Sequence, residues 1–281
     1  MLRQRVVTAI ILLTIVFGAL LAPQAWPMLL LLSVMSALAL WEWLRLTVPA
    51  RWSGIAIGVA LAFFTVACGF LFTDAGKVAL FHVTVAAGLP LFGLVSLFWL
   101  TASLAAVVRG RADLPCASAA FSLVGVVALA ATWLALILLL SHRGPWFLVS
   151  LLALIWVADI AAYFSGKAFG RHKLAPRVSP GKTWEGAVGG VVGATLWVMI
   201  SAQWPGSFGS VLLAQWSWPV AVLLAAGLGA ISIVGDLFES LLKRRAGRKD
   251  SSGLLPGHGG VYDRVDALLP VAPLAYLLTG I

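Results

Sequence analysis

Charge is what this sequence lacks most. Only 10% of its 281 residues are Asp, Glu, Lys or Arg, where a soluble domain carries about a quarter. That shortage excludes an ordinary soluble globular protein. Cysteine is scarce too: Cys68 lies in an apolar run and Cys116 in a polar connection. Neither belongs to a CxxC or a His cluster, so neither a disulfide framework nor a zinc site is expected. The GxxxxGK[ST] loop, HExxH, the GxGxxG dinucleotide fingerprint and a Ser-His-Asp spacing are all missing, so the sequence offers none of those ready-made chemistries. There is no internal repeat, low-complexity tract or domain linker.

What is present is hydrophobic length. Apolar residues make up 62% of the chain, and they fall in repeated runs near the twenty residues that cross a bilayer. The runs are continuous rather than alternating, so helices are expected and not a barrel. The fold class is therefore all-α, a polytopic helical membrane protein forming a single membrane domain over 1–281. Nine spans are predicted near 6–22, 27–44, 54–72, 78–100, 118–140, 146–164, 186–203, 217–240 and 267–280. The last is short and holds Pro270 and Pro273. The N-terminal stretch MLRQRVVTAIILLTIVFGALLAPQAW is basic and then apolar, like a signal peptide. No clean small-x-small cleavage site follows, so it is read as the first span.

This arrangement sorts the cations. With the N-terminus in the cytoplasm, seventeen of nineteen Lys and Arg fall inside, Arg3 and Arg5 among them, and only Lys77 and Arg143 fall outside. The positive-inside rule supports that orientation. The net charge of +9 is then assigned to cytoplasmic loops and anionic headgroups, not to nucleic acid. Two long polar loops, 165–185 and 241–266, face the cytoplasm, whereas the outside loop 204–216 carries no charge. Residues 1–145 read as a transmembrane scaffold and 146–281 as the catalytic region. Within the scaffold, Glu42, Asp74 and Asp113 read as solvated structural acids near span ends, and His82 and His142 as structural. Trp26, Trp43, Trp52, Trp99, Trp146, Trp216 and Trp218 read as an interfacial belt.

The chemistry gathers late in the chain. Seven of the ten acids lie at or after Asp159. Asp159 and Asp236 interrupt apolar helices, where an ionisable group is expensive and points to function. Helical spacing puts Asp236, Ser240 and Lys243 on one face, and Glu239 reaches Lys243 at i+4 as a helix-end ion pair. The stretch Ser240–Asp266 holds six of the nineteen cations and three of the ten acids. It contains Pro256-Gly257-His258-Gly259-Gly260 and then Asp263-Arg264-Val265-Asp266. Glycine-rich backbone approaches a phosphate closely. Carboxylates within one turn suit Mg²⁺, and Lys and Arg neutralise phosphate charge. The earlier run Ser179-Pro180-Gly181-Lys182-Thr183-Trp184-Glu185-Gly186 suits either an anion at a helix start or an ordinary helix start. Acids, bases and glycines at a membrane surface fit a nucleotide–lipid phosphate reaction.

These residues resemble a known family. Ser240, Leu242, Lys243-Arg244, Lys249-Asp250, Pro256, His258-Gly259-Gly260, Asp263-Arg264 and Asp266 are similar to the signature of the phosphatidate cytidylyltransferases, or CDP-diacylglycerol synthases. Upstream, Asp159, Ala162-Tyr163, Gly166, Phe169-Gly170, Ser179-Pro180, Lys182-Thr183 and Glu185-Gly186 resemble the same family. Arg171 departs from its more usual Lys. The motifs cover about 159–266. The resemblance implies that CTP and phosphatidate react to CDP-diacylglycerol and pyrophosphate at the cytoplasmic face of the cell membrane. It implies Asp236 and Asp263 as ligands of Mg²⁺ or a similar divalent cation, with Asp159, Asp250 and Asp266 as further candidates and a monovalent ion as a further candidate cofactor. Lys182, Lys243, Arg244, Lys249 and Arg264 are candidates for phosphate contacts. The resemblance further implies that His258 contacts phosphate or fixes the turn, that Asp250 and Asp266 ligate metal or hold the cations, and that Ser179, Lys182, Gly259 and Gly260 are expected to line the nucleotide. The expected partners are CTP, phosphatidate and membrane lipid, with no nucleic acid, and a second copy in a homodimer is a further candidate. Two other readings are open: a CTP-dependent transferase acting on another lipid, and an ion-coupled transporter using Asp159 and Asp236.

Overall fold

The computed structural model describes residues 2–280, without the side chains of 2–6, 9 and 85. The side chains of Arg3 and Arg5 therefore lie outside the described residues. Helices run through almost the whole chain: α1 Leu2–Leu21, α2 Trp26–Thr47, α3 Ser53–Phe72, α4 Asp74–Val83, α5 Leu89–Phe98, α6 Leu104–Arg109, α7 Ala119–Phe169, α8 Trp184–Ser201, α9 Phe208–Gln215, α10 Trp218–Arg245, α11 Tyr262–Val265 and α12 Leu268–Thr279. Six helical stretches are long and apolar enough to cross a membrane, by length and composition. The protein is an all-α polytopic membrane protein.

Three differences from the sequence-based reading concern helices and loops of the later chain. Spans 118–140 and 146–164 are two arms of α7, a helix of 51 residues, about twice the length one crossing needs. The arms meet at Gly144, whose φ of 83° only glycine adopts freely, followed by Pro145, whose missing N–H breaks the ladder. The uncharged loop 204–216 contains α9, capped by the Ser207 hydroxyl, which accepts from Ser210 N at 3.0 Å. The loop 165–185 contains a two-stranded antiparallel hairpin, β1 Lys173–Ala175 and β2 Ser179–Thr183.

The chain divides into two compact units. One comprises the residues up to Leu91 with Leu114–Trp133 and Leu242–Val265. Its core holds Trp43, fully buried, with its indole N–H on the carbonyl of Phe121 at 2.8 Å and its ring 5.2 Å from that of Tyr262. Trp133 donates to Ser33 Oγ at 2.9 Å, and Ser118 N to the Thr47 carbonyl at 2.9 Å.

The other unit comprises Phe92–Asp113, Leu134–Leu241 and the chain from Asp266 onward. Its core holds Trp99 against Phe98 and Phe238. Trp43 and Trp99 thus leave the proposed interfacial belt for the interior. In each, a large apolar ring gains more from burial than from the interface. Trp26, Trp52, Trp146, Trp216 and Trp218 stay exposed. Helix α12 has 12 residues, about 18 Å of helix, short of a bilayer core. Its end is held by Arg143, which donates to the Thr279 carbonyl at 2.6 Å, and by Trp216, which donates to the Leu278 carbonyl at 2.8 Å.

Candidate active site

In the unit built from the second arm of α7, the hairpin, α8, most of α10 and α12, the polar run SPGKT forms β2. Thr183 ends the strand and caps α8, its hydroxyl accepting from Gly186 N at 3.1 Å, as an N-cap threonine should. The cap places Lys182 two residues before the first residue of the helix, Trp184. Its ammonium lies 2.5 Å from Asp236 Oδ2 of α10, both groups half-buried. A cavity of about 410 Å³ opens here, lined by Asp159, Tyr163, Lys167, Gly181, Lys182 and Asp236 among others. The carboxylates of Asp236, Glu239 and Asp266 converge, with ligand oxygens all within 4.8 Å of one another.

Two local features make that convergence. Asp236 and Glu239 share a helix face at i and i+3. Gly235 lets the turn before α12 come close, since a Cβ there would lie 2.6 Å from the Asp266 carbonyl oxygen. Asp266 is 9% exposed, and its Oδ1 accepts from Ala267 N at 2.8 Å. Burial, and then the neighbouring Asp236 carboxylate, push its carboxyl up to about 8. The Ala267 N–H and Lys182 act against that rise. Three clustered carboxyl groups favour a proton or a cation among them. All the donors are hard oxygens, the set that Mg²⁺ or a similar divalent cation takes, so the residues fit such an ion.

In the other unit, the loop after α10 folds around Asp263. Lys243 Nζ lies 2.7 Å from Asp263 Oδ1, the two side chains being 13% and 8% exposed. Asp263 Oδ2 accepts from Gly260 N at 2.6 Å and Ser251 N at 3.2 Å, with Ser251 Oγ at 3.1 Å. The Pro256–Gly260 turn closes on itself: Leu255 N donates to the Gly259 carbonyl at 2.9 Å, and Gly259 has a φ of 83°. Arg264 donates to the His258 carbonyl at 2.7 Å, which fastens the turn to α11. Arg244, Lys249 and Asp250 are exposed.

The sequence-derived residues thus fall into two groups. Lys182, Asp236 and Asp266 come together, with Asp159 on the cavity wall and Ser179 at the start of β2. Lys243 and Asp263 come together with Gly259, Gly260, His258 and Arg264. Two acids stand in places that the sequence did not give them. Glu239 read as a helix-end ion pair, although its spacing from Asp236 already placed both on one face. Glu42 read as solvated and is instead fully buried. It accepts hydrogen bonds from Ser251 Oγ at 2.8 Å, Ser252 Oγ at 2.5 Å, Val261 N at 3.0 Å and Tyr262 N at 2.6 Å. No local pattern marks it, because its partners lie more than two hundred residues away.

A sequence profile described as the Cytidylyltransferase family matches residues 3–281. The chain is 38% identical over 278 residues to a protein of Pseudomonas aeruginosa named phosphatidate cytidylyltransferase, covering 98% of this chain and 95% of that one. A protein of the same name from Haemophilus influenzae is 34% identical over 288 residues, covering 97% and 96%. One from Thermotoga maritima is 42% identical over 123 residues, covering 44% of this chain and 45% of that one.

Proposed function

Because the chain belongs to the cytidylyltransferase family, we infer that it transfers CMP from CTP to phosphatidate. The products are CDP-diacylglycerol and pyrophosphate, and the reaction serves phospholipid synthesis. The observation that carries our assignment of residues is the Lys182–Asp236 pair beside the Asp236–Glu239–Asp266 cluster.

A phosphate oxygen of phosphatidate attacks the α-phosphorus of CTP. A new P–O bond forms, the bond from the α-phosphorus to the α–β bridging oxygen breaks, and its electron pair leaves with pyrophosphate. The nucleophile is already an anion, so a general base is not required. The main obstacle is repulsion between two polyanions. Fixed cations reduce it, and holding both substrates in line supplies the rest.

In our reading Lys182 contacts phosphate from the hairpin, with Asp236 holding its ammonium in place. Lys243 does the same from α10, held by Asp263, and Arg244, Lys249 and Arg264 are further phosphate contacts. Asp236, Glu239 and Asp266 would hold the divalent cation, with Asp263 as a second candidate ligand by resemblance. When bound, that cation neutralises charge developing on the phosphates. The seventeen-to-two bias of Lys and Arg supports a cytoplasmic face for both polar loops and residence in the cell membrane.

The test is purified protein in detergent with labelled CTP and a panel of lipid acceptors. Label should enter phosphatidate, with matching pyrophosphate release. Label entering only an isoprenoid phosphate or alcohol would reassign the acceptor.

A further inference from the structure

Glu42 is the only acid of α2, in the half of the chain where the sequence shows no chemistry. We propose that it is a positioning residue for cytidylyl transfer, setting the 251–262 loop so that Asp263 and Lys243 stand in their working geometry. The proposal rests on the reaction inferred above and adds a residue to it.

The carboxylate is fully buried and forms no ion pair among the described residues. Its charge is held by four donors of one loop. Oε1 accepts from Ser252 Oγ and Val261 N, and Oε2 from Ser251 Oγ and Tyr262 N. A buried carboxylate held by hydrogen bonds alone is costly compared with an apolar side chain of the same size. What it provides is geometry.

That geometry is shared with Asp263. Three consecutive amides are divided between the two acids: Gly260 N donates to Asp263, and Val261 N and Tyr262 N donate to Glu42. Ser251 Oγ stands between them, 2.8 Å from Glu42 Oε2 and 3.1 Å from Asp263 Oδ2. Gly260 permits the approach, because a Cβ there would lie 2.0 Å from Ser251 Oγ and 2.3 Å from Glu42 Oε2. Asp263 in turn holds Lys243 at 2.7 Å. A shift of Glu42 therefore reaches the Lys243 ammonium through one peptide run and one serine.

The test is Glu42→Gln. Glutamine keeps the size and replaces one carboxylate oxygen by NH₂. A serine hydroxyl can rotate to accept from it, but a backbone N–H cannot, so either Val261 N or Tyr262 N loses its acceptor. The expected result is a fall of at least tenfold in kcat/KM for CTP, counted per folded molecule. Glu42→Asp, which keeps both oxygens, should recover part of it. Asp263→Asn should also lose activity, and the double variant should be scarcely worse than Asp263→Asn alone, since the two act through one element.

A strap that only holds the fold would lower yield and Tm and leave kcat and KM of the folded fraction at wild-type values. That outcome, or losses that multiply in the double variant, overturns the proposal. If Glu42→Gln gives no folded protein, Ser252→Ala decides, because it removes the hydrogen bond to Glu42, together with the one that Ser252 Oγ accepts from Leu254 N at 3.1 Å, and no charge. A lowered kcat/KM at unchanged Tm supports the proposal and a wild-type value overturns it. A wild-type chain that leaves phosphatidate unlabelled would overturn the reaction itself and the proposal with it, whereas an active wild type with an unaltered Glu42→Gln removes the proposal alone.

Discussion

The ammonium of Lys182 and the carboxylate of Asp236 sit 2.5 Å apart, joining a hairpin strand to a membrane helix across 54 positions of sequence, 236 less 182. Both groups are about one third exposed. An ion pair at that exposure contributes only about 0–1 kcal/mol to stability. The pair thus adds little to the fold, in keeping with the phosphate contact proposed above for Lys182.

Lys182→Met should therefore shift thermal stability little and lower turnover by a factor on the order of a hundred, the usual scale for one transition-state charge contact. Turnover of the purified variant, with its Tm alongside, checks this. Turnover within threefold of wild type would return Lys182 to a structural role.

Asp236→Asn and Asp266→Asn should each abolish most turnover with folding and membrane insertion intact. Their double variant should be little worse than either, because both oxygens belong to one cluster and act as a unit. A Mg²⁺ titration of the three proteins is the measurement. Fully additive losses would separate the two acids, and full wild-type activity in excess EDTA would falsify the divalent-cation assignment.

The raised carboxyl of Asp266 links stability to pH. Near neutral pH the folded chain keeps a proton on it, up to about 8, that the unfolded chain sheds from about pH 4. The folded state binds more protons across that window, so in EDTA this group makes stability fall as pH rises from about 4 to about 8. A divalent cation takes the place of the proton, so its stabilisation grows over the same window. The Tm gain on adding Mg²⁺ should be larger at pH 8 than at pH 6, and Asp266→Asn should flatten the difference. An equal gain at both pH values in the wild type contradicts the linkage.

Orientation can be read by a thiol. Ser251 is fully buried and unsuited to a reporter, but Gly253 is exposed and a Cβ there meets nothing within 4 Å. In a background without Cys68 and Cys116, Gly253→Cys should react with an impermeant reagent only after the cells are opened. Labelling of intact cells would invert the topology.

The sequence by itself determined the class of this protein and named most of the residues proposed for its reaction. Low charge and apolar length dictate membrane helices, because a bilayer leaves backbone N–H and C=O groups no partner but each other. Acids placed in apolar helices, and glycine-rich basic loops beside them, mark Asp236, Lys182 and Asp263 without reference to a fold. Glu239 was legible as well, since helical periodicity alone sets it beside Asp236.

Only the tertiary structure decided how these residues are grouped. It pairs Lys182 with Asp236 and Lys243 with Asp263, and it brings Asp266 to α10 through the gap left at Gly235. It also moves Glu42 from an expected solvated helix end to the buried acceptor of four loop donors. Periodicity reports which neighbours share a face over one or two turns. It carries nothing about a contact closed across two hundred residues, where packing of Trp43 on Tyr262 brings the partners within reach.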